Sequence, residues 1–482
     1  MKRIRRNAVF AAFVSVAFLV TLHGQAPASN LARQSEDAKA AAHRIAVFGS
    51  SVANGTGDEL GKEGYTGRLR AMLEPRGWEV LNQSRGGDNT VTMAPRFAPD
   101  GEPAPNTRYL LPVHPHYVLL GLSLGNEGIA NVNTKEEKDA VFKRFETGMK
   151  GFIDRSRENH IVPIVTSCYT RMDFTDVEYE YTRRMNLLID SWDVPSVNFL
   201  GAVDDGTGKW AKGFWYDSLH PNASGHNELT TTFVPTLFDA LEKGKPAPTP
   251  AKAAGFVRVS RGRSPITFTP GDTMHPFALV LRVRSQSEGV VAAVEGTTLS
   301  ATTEKKKIDR GGRGAIEIEE TTLSPNQLFA AVVGASSGVW IYRAADGKMI
   351  SSTVPADANW HTLVVSHYTA RGETFFFVDG QLAGRTAERL QPKRFFVGGP
   401  SQETPTAPAS NQVDLKDLMI YRSALNADEV AAIQKGALLP ASLEVYAPLA
   451  DTRVEHGVKL ENRAQSLSFA TVEGAGVVHV DK

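Results

Sequence analysis

The sequence predicts an α/β domain with a doubly wound, mostly parallel sheet, followed by an all-β sandwich. Two observations support this prediction. Between residues 42 and 241, short apolar runs alternate with helical segments, a pattern typical of a parallel sheet. From residue 256 to 482, short alternating segments are separated by turn signals, as in all-β domains. The stretch 242–255, EKGKPAPTPAKAAG, predicts an extended linker between two domains that fold independently.

Each element of the first domain has its own local signal. The apolar runs that predict strands are RIAVFG, EVLNQS, HYVLLGLSLG, IVPIVTS and VPSVNFLG. A long amphipathic helix is predicted over 134–159, because Thr134 and Glu137 form a capping box before apolar residues at helical spacing. The other predicted helices are GYTGRLRAMLEPRG, DVEYEYTRRMNLLIDSW and a closing helix, ASGHNELTTTFVPTLFDAL.

The second domain shows hairpin signals and one helix. The segments GVWIYRAADGKMISS and ETFFFVDGQLAG each place Asp-Gly between strand-like runs, which predicts two tight hairpins. WHTLVVSHY and LKDLMIYRS are further predicted strands, and the run Lys305–Lys307 is expected at a solvated hairpin tip. NADEVAAIQKG predicts a helix, with Asn426 and Glu429 as its cap pair and Gly436 just beyond its end.

Composition and the N-terminal segment limit the classes of function. Lys plus Arg and Asp plus Glu both total 53, so the net charge gives no indication of a nucleic-acid partner. Residues 1–30 read as a signal peptide, with a basic start, an apolar stretch and Ala26 and Ala28 near its end. We therefore expect a secreted or periplasmic protein with no stable membrane span, an uncleaved anchor being the alternative. The single cysteine, Cys168, excludes an internal disulfide and is expected to be a small buried apolar residue.

Four stretches carry candidate chemistry. Ser51 follows the first predicted strand, where a rigid strand end positions a side chain at the rim of the sheet. Asp217 and His220 are three residues apart and Pro221 follows, so the carboxylate can orient the imidazole at a loop-to-helix junction. Gly residues in NQSRGGDNT and Asn126 in GLSLGNEG follow two other strands. They offer N–H donors for an oxyanion at the same edge of the sheet.

In this order and spacing, the four stretches resemble the SGNH (GDSL-type) hydrolases. The resemblance covers residues 42–241 and implies a flavodoxin-like three-layer α/β/α fold and ester hydrolysis without a cofactor or metal. It implies a catalytic triad of Ser51, Asp217 and His220, and an oxyanion hole formed by the N–H groups of Ser51 and Gly87 and the amide of Asn126. Two positions depart from the family pattern: Ser50 replaces an Asp, and Glu127 replaces the Asp that usually follows the Asn.

Two local alternatives remain open. GLSLG also satisfies the Gly-x-Ser-x-Gly elbow of α/β-hydrolases, which would make Ser123 the nucleophile, although no helix is predicted directly after it. The aromatic residues before Asp217 are expected either to pack internally or to form a wall beside the acyl or sugar site; they are Trp210, Phe214, Trp215 and Tyr216.

Residues 256–482 resemble laminin-G-like, concanavalin-A-like jelly rolls in NWHTLVVSHY, FFFVDGQLAG and VDLKDLMIYRSALNADEVAAI, which implies possible glycan binding. The sequence as a whole favours an exported serine esterase that removes O-acetyl groups from a carbohydrate. One alternative is a lipase, arylesterase or thioesterase of the same fold. The other is a non-catalytic glycan-binding protein with a decayed hydrolase domain.

Overall fold

The computed structural model of the protein describes residues 43–252, 255–260, 266–310, 314–400, 412–451, 455–473 and 477–480. The predicted signal peptide, residues 1–30, lies outside the described residues, and the assignment stays a prediction. None of the helices in the described ranges is both long enough and apolar enough to cross a membrane.

The N-terminal half alternates strands and helices as predicted. Its strands are β1 Arg44–Gly49, β2 Glu79–Asn82, β3 Tyr117–Gly121, β4 Val162–Thr166 and β5 Ser196–Val197. Its helices are α1 Gly64–Leu73, α2 Thr90–Met93, α3 Lys135–Glu158, α4 Asp176–Asp190, α5 Leu200–Val203, α6 Ala223–Thr231 and α7 Leu237–Glu242. Short 3₁₀ turns cover Glu74–Arg76, Ala94–Arg96, Leu111–Val113 and Ile129–Asn131.

The five strands form one parallel sheet in the order β2-β1-β3-β4-β5. This is the strand order of flavodoxin-like sheets. Alternate residues of β1 enter two different hydrophobic clusters, Ile45 and Val47 on one face and Ala46 and Phe48 on the other. The sheet is therefore buried on both faces, which explains why its strands are almost continuously apolar. The three-layer arrangement that the resemblance implies stays a prediction.

Local capping signals agree with the structure, and one helix differs. The Thr134 side chain accepts a hydrogen bond from the Glu137 N–H, and the Glu137 side chain accepts one from the Thr134 N–H, so the predicted capping box is confirmed. The predicted closing helix is two helices, α6 and α7. Pro235 lies between them; it disfavours the helical conformation at Val234 and has no N–H to continue the helical bonding.

The C-terminal half is an antiparallel β-sandwich with one helix, α8 Ala427–Gln434. The strands are β6 Phe256–Ser260, β7 Ile266–Phe268, β8 Phe277–Arg284, β9 Gly289–Asp309, β10 Ala315–Ser336, β11 Val339–Arg343, β12 Met349–Pro355, β13 His361–Tyr368, β14 Glu373–Val378, β15 Gln381–Ala387, β16 Leu390–Val397, β17 Gln412–Tyr421, β18 Leu443–Pro448, β19 Ala470–Val472 and β20 Val477–Val480. One sheet has the order β12-β11-β10-β9-β16-β7-β19 and the other β15-β14-β13-β8-β17-β6-β20, with β18 paired to β17.

Turn chemistry defines the hairpins of the sandwich. Asp379 and Gly380, between β14 and β15, both have positive φ, as a type I′ turn requires. The capping box of Asn426 and Glu429 at the start of α8 is confirmed. The lysine run 305–307 was expected at a hairpin tip, but these residues lie within β9, paired with β10. The identity of the sandwich as a jelly roll stays a prediction.

The two halves share an interface, contrary to the expectation of domains coupled only by a tether. Residues His43–Lys482 form one compact unit. In the predicted linker, Lys245 Nζ donates to the Ser466 carbonyl at 2.5 Å, and the Ala251 N–H donates to the Tyr446 hydroxyl at 3.0 Å. The segment therefore lies against the sandwich. The domain boundaries themselves stay predictions.

Candidate active site

Ser51 lies two residues beyond β1, at the carboxyl edge of the parallel sheet. A short turn carries it, with the Thr56 N–H bonded to the Ser51 carbonyl at 2.9 Å. The Ser51 side chain is half-buried, and its Oγ lies 3.0 Å from Nε2 of His220. The neighbouring Ser50 is fully buried and its hydroxyl has no hydrogen-bond partner among the described residues. Of the two adjacent serines, only Ser51 is placed against a base.

His220 and Asp217 lie in the loop before α6, as a hydrogen-bonded pair. His220 Nδ1 is 2.7 Å from Asp217 Oδ1, which also accepts hydrogen bonds from the N–H groups of Leu219 and His220. Burial opposes ionisation of Asp217, but these hydrogen bonds and the nearby imidazole outweigh it and lower its pKa. An ionised carboxylate at this position keeps the proton on Nδ1, so Nε2 is free to accept one from Ser51.

The predicted oxyanion donors lie at the same edge of the sheet. Gly87 has a φ of 86°, which a side chain would strain, and a Cβ built on Gly86 would lie 3.8 Å from the Ser51 Cβ. The N–H groups of Ser51 and Gly87 donate no hydrogen bond to any described residue. Asn126 Oδ1 accepts from the Ser123 N–H at 2.9 Å, which leaves its Nδ2 as an available donor.

Buried carboxylates hold the two loops that carry these donors. Asp88, next to Gly87, accepts hydrogen bonds from Arg85 at 2.6 Å and from Arg96 Nε at 2.8 Å. Glu127, next to Asn126, accepts from the Thr90 N–H at 3.0 Å and from Arg144 at 2.7 Å. Glu127 stands where the family pattern has Asp, and its longer side chain reaches the N-terminus of α2. The replacement therefore has a structural role.

His226 is a residue of the site region that the sequence reading missed. It lies on α6, fully buried, and its Nδ1 accepts from the Tyr65 N–H at 3.2 Å. Its Nε2 lies 3.0 Å from the Thr56 carbonyl and donates to it. Burial lowers the pKa of His226 to about 4, so the ring is neutral and holds the loop after Ser51. The sequence does carry a signal for His226: it is a second histidine, on the helix directly after the Asp-x-x-His-Pro motif.

The alternative nucleophiles are placed differently. Ser123 is fully buried; its Oγ donates to the Tyr169 carbonyl and accepts from the Tyr169 N–H, both at 3.3 Å. No helix begins directly after it, as an elbow would require, because α3 starts at Lys135. Cys168 is buried, and burial raises the pKa of its thiol to about 12.

The aromatic residues before Asp217 divide into two groups. Trp210 and Phe214 are buried in hydrophobic clusters, so both have a packing role. Trp215 and Tyr216 are half-buried. Trp215 also packs against one of these clusters, so Tyr216 alone has no packing role of this kind.

No group of three or more His, Cys, Asp or Glu side chains able to hold a metal ion occurs in the described ranges. The groups that the structure brings together are the Ser51 hydroxyl, the His220 imidazole, the Asp217 carboxylate bonded to it, and nearby N–H donors. This set of groups is suited to acyl transfer.

Residues 47–227 match the model of the GDSL-like Lipase/Acylhydrolase family, and this range includes all the candidate site residues. The match supports a GDSL-like hydrolase domain in the N-terminal half, and the family suggests ester hydrolysis. A search of curated proteins gave no match.

Solved structures that resemble the chain include hydrolases at low identity. An acetylxylan esterase from Geobacillus stearothermophilus is 15% identical, with 42% of this chain and 94% of that chain covered and a TM-score of 0.31. A GDSL-like lipase from Bacteroides thetaiotaomicron is 16% identical, with 44% and 97% covered and a TM-score of 0.30. A pentraxin from Limulus polyphemus is 11% identical, with 40% and 82% covered and a TM-score of 0.24.

Proposed function

We propose that this protein is a serine ester hydrolase in which Ser51 is the nucleophile, His220 the general base and Asp217 the residue that orients the base. The contact of Ser51 Oγ with His220 Nε2 at 3.0 Å, continued by the 2.7 Å contact of His220 Nδ1 with Asp217, carries the proposal. The match of residues 47–227 to a family of acylhydrolases supports it.

The reaction follows from this geometry. Ser51 Oγ attacks the ester carbonyl while His220 Nε2 takes its proton, and the Asp217 carboxylate stabilises the imidazolium that forms. The N–H groups of Ser51 and Gly87 and the Asn126 amide stabilise the negative charge on the tetrahedral intermediate. His220 then protonates the leaving alcohol. A water molecule, deprotonated by His220, hydrolyses the acyl-enzyme and regenerates Ser51.

An O-acetylated carbohydrate is the substrate we propose. The loops beside Ser51 expose polar side chains: Arg85 and Arg108 are exposed, and Arg108 donates to Asn54 Oδ1 at 2.6 Å and to the Ser84 carbonyl at 2.9 Å. In the stretch 213–222, Leu219 alone exposes a large apolar side chain, to 37%. A polar rim favours a hydroxyl-rich alcohol portion, whereas a long acyl chain needs a continuous apolar surface.

Substitution of three serines tests the nucleophile. With p-nitrophenyl acetate, Ser51→Ala should lower kcat by about 10⁴–10⁶-fold, as loss of a catalytic serine does. Ser50→Ala and Ser123→Ala are the matched controls and should keep most of the activity. An inactive Ser123→Ala beside an active Ser51→Ala would establish the elbow mechanism instead. No hydrolysis of any activated ester by the unaltered protein would favour a non-catalytic glycan-binding protein.

Acyl-chain length and acetate release test the substrate. We expect kcat/KM to fall from acetyl to octanoyl esters, and acetate to be released from acetylated polysaccharides. Higher kcat/KM on octanoyl esters, with no acetate released, would instead identify a lipase or a thioesterase.

We also propose that the sandwich binds glycan. A cavity of about 480 Å³ is lined by residues that include Arg258, Arg284 and Asp414, and both arginines bond to that carboxylate. The Arg284 guanidinium also lies 4.7 Å from the ring centroid of Trp360, which is half-buried. Aromatic faces beside ionic hydrogen-bonding groups suit sugar rings. Trp360→Ala should weaken retention on acetylated polysaccharide, whereas Phe469→Ala, at an exposed aromatic outside this cavity, should not.

Export is proposed from the N-terminal segment, residues 1–30. Intact-mass measurement of the protein secreted by a bacterial host should show a chain that begins near residue 30. A full-length chain retained in the membrane fraction would indicate an uncleaved anchor.

A further inference from the structure

The sandwich extends a two-stranded arm towards the catalytic loops. We define the arm as residues 299–309 of β9 and 315–325 of β10, which pair in continuous antiparallel register up to a register shift between Pro325 and Leu328. Beyond that shift, β10 pairs with β11 only from Val332 onward. The outer edge of β10 in the arm therefore presents backbone N–H and C=O groups that no strand of the sandwich covers.

The arm edge bonds to the loop that carries Asp217 and His220. The Thr321 N–H donates to the Gly213 carbonyl at 2.9 Å. Asn222 Nδ2 donates to the same carbonyl at 2.9 Å and to the Glu319 carbonyl of the arm at 3.2 Å. Residues 319 and 321 are two positions apart in the strand, so their backbone N–H and C=O groups point to the same side, away from β9.

These bonds hold the two ends of the loop 213–222, which carries Asp217 and His220. The loop 213–222 folds back on itself, because Trp215 and Pro221 form an antiparallel bridge and the Tyr216 N–H bonds to the His220 carbonyl at 2.9 Å. Its two ends, Gly213 and Asn222, are the residues that the arm contacts. A Cβ on Gly213 would overlap the Thr321 hydroxyl, so the approach of the two chains leaves no room for a side chain there.

The arm also reaches the loop that follows Ser51. Glu59 accepts a hydrogen bond from the Ala223 N–H at 2.8 Å, at the start of α6. Burial, and the neighbouring carboxyl of Glu320 on the arm, raise the pKa of Glu59. Glu320 is buried and pairs with Lys306 from the other strand of the arm. The arm thus lies against both segments that meet at the Ser51–His220 contact.

We propose that the arm of the C-terminal domain positions the loop 213–222, so that Thr321 and Glu319 act as positioning residues for His220 and Asp217. The sandwich is then part of the catalytic unit, required even for an ester too small to touch it. This inference rests on the proposed function, because its measured property is ester hydrolysis. A displacement of His220 by about 1 Å lowers the rate by as much as about 10²-fold. Loss of one anchoring bond should therefore lower kcat without altering KM.

Proline substitution in the full-length protein tests the anchoring bond. Thr321→Pro removes the N–H that bonds to Gly213 and no N–H used within the arm. Glu317→Pro is the matched control, because the Glu317 N–H points to the same outer edge of β10 as the Thr321 N–H, and the Glu317 side chain is exposed. Thr321→Val keeps the N–H and loses only the 2.8 Å hydroxyl contact with Thr303.

With p-nitrophenyl acetate, Thr321→Pro should lower kcat about 10-fold relative to Glu317→Pro, at equal KM and equal Tm. Thr321→Val should keep the unaltered kcat. Equal kcat in the two proline variants would show that the arm only packs against the loop. If Ser51→Ala remained active, the proposed function would fail; if Ser51→Ala were inactive while both proline variants stayed equal, only the present inference would fail.

A second variant covers the case in which Thr321→Pro does not fold. Asn222→Ser keeps an oxygen able to cap α6, where Asn222 Oδ1 now accepts from the Gly225 N–H at 2.9 Å, but it removes the amide donor to Gly213 and Glu319. The same loss of kcat at constant KM is expected. Unchanged kcat in a folded Asn222→Ser protein would overturn the positioning role.

Discussion

Glu429 of α8 is buried where the sandwich meets the α/β domain, and its replacement by glutamine tests the charge state of that interface. Its Oε1 accepts a hydrogen bond from Asn198 Nδ2 of the other domain at 2.8 Å. Its Oε2 accepts from the Asn426 N–H at 2.7 Å, within the capping box. Glu429 and Asn198 are both 2% exposed, so water does not solvate the carboxyl.

Burial raises the pKa of Glu429 to about 8, from an ordinary value of 4.5, with a further contribution from Asp190. Between these two pH values the carboxyl is protonated in the folded protein and ionised in the unfolded chain. Unfolding then releases a proton, so the free energy of unfolding falls as the pH rises. The shift corresponds to ~5 kcal/mol of lost stability once the pH reaches 8. Glutamine is neutral at every pH and does not incur this loss, but its amide nitrogen cannot accept a hydrogen bond, so one of the two bonds to Glu429 is lost at every pH.

Thermal unfolding of Glu429→Gln between pH 5 and pH 8 measures the effect. The variant should have a lower Tm than the unaltered protein at pH 5, because it lacks one hydrogen bond. Between pH 5 and pH 8 the Tm of the variant relative to that of the unaltered protein should rise by about 4 °C, given the unfolding entropy of a chain of this length. Glu180→Gln, at an exposed position on α4, is the control and should show no such trend. A relative Tm of the variant that stays constant or falls towards pH 8 would refute the reasoning.

Three further outcomes are expected. Asn126→Ala should lower kcat by about 10²–10³-fold with little change in KM. A raised KM at constant kcat would show instead that the Asn126 amide binds the substrate in its ground state. Arg108→Gln should raise KM for acetylated polysaccharide but not for p-nitrophenyl acetate; equal effects on both substrates would argue against a role at the sugar-binding rim. A chain that ends at Ala251 should be less stable and lose activity on p-nitrophenyl acetate, because it lacks the interface and the arm. Full activity in that shortened chain would restore the view of the sandwich as a tethered accessory.

Local signals in the sequence predicted most elements of the fold. The capping boxes at Thr134 and Asn426 and the Asp379-Gly380 turn depend on residues at most a few positions apart. Their hydrogen bonds form within the segment that encodes them, so the pattern is sufficient. The closing segment predicts one helix, but the structure has two, with Pro235 between α6 and α7.

The candidate triad was also predictable in part. The three-residue spacing of Asp217 and His220 places a carboxylate within reach of an imidazole whatever the rest of the fold does. The approach of Ser51 to His220 was expected only through the resemblance to a family, because 169 positions separate the two residues in the chain. The role of the buried His226 could not be predicted from its position alone, since its hydrogen bonds go to backbone groups of two distant segments, the Thr56 loop and α1.

By itself, the sequence determined the alternating α/β half, the antiparallel half and the serine, carboxylate and imidazole that the chain can use. Only the tertiary structure decided that the two halves share an interface and that the arm bonds to Gly213 and Asn222. The physical reason is the kind of group involved. On the side of the arm, both bonds use backbone groups, the Thr321 N–H and the Glu319 C=O. Nearly every residue carries these groups, so no pattern of side chains marks where two distant segments meet.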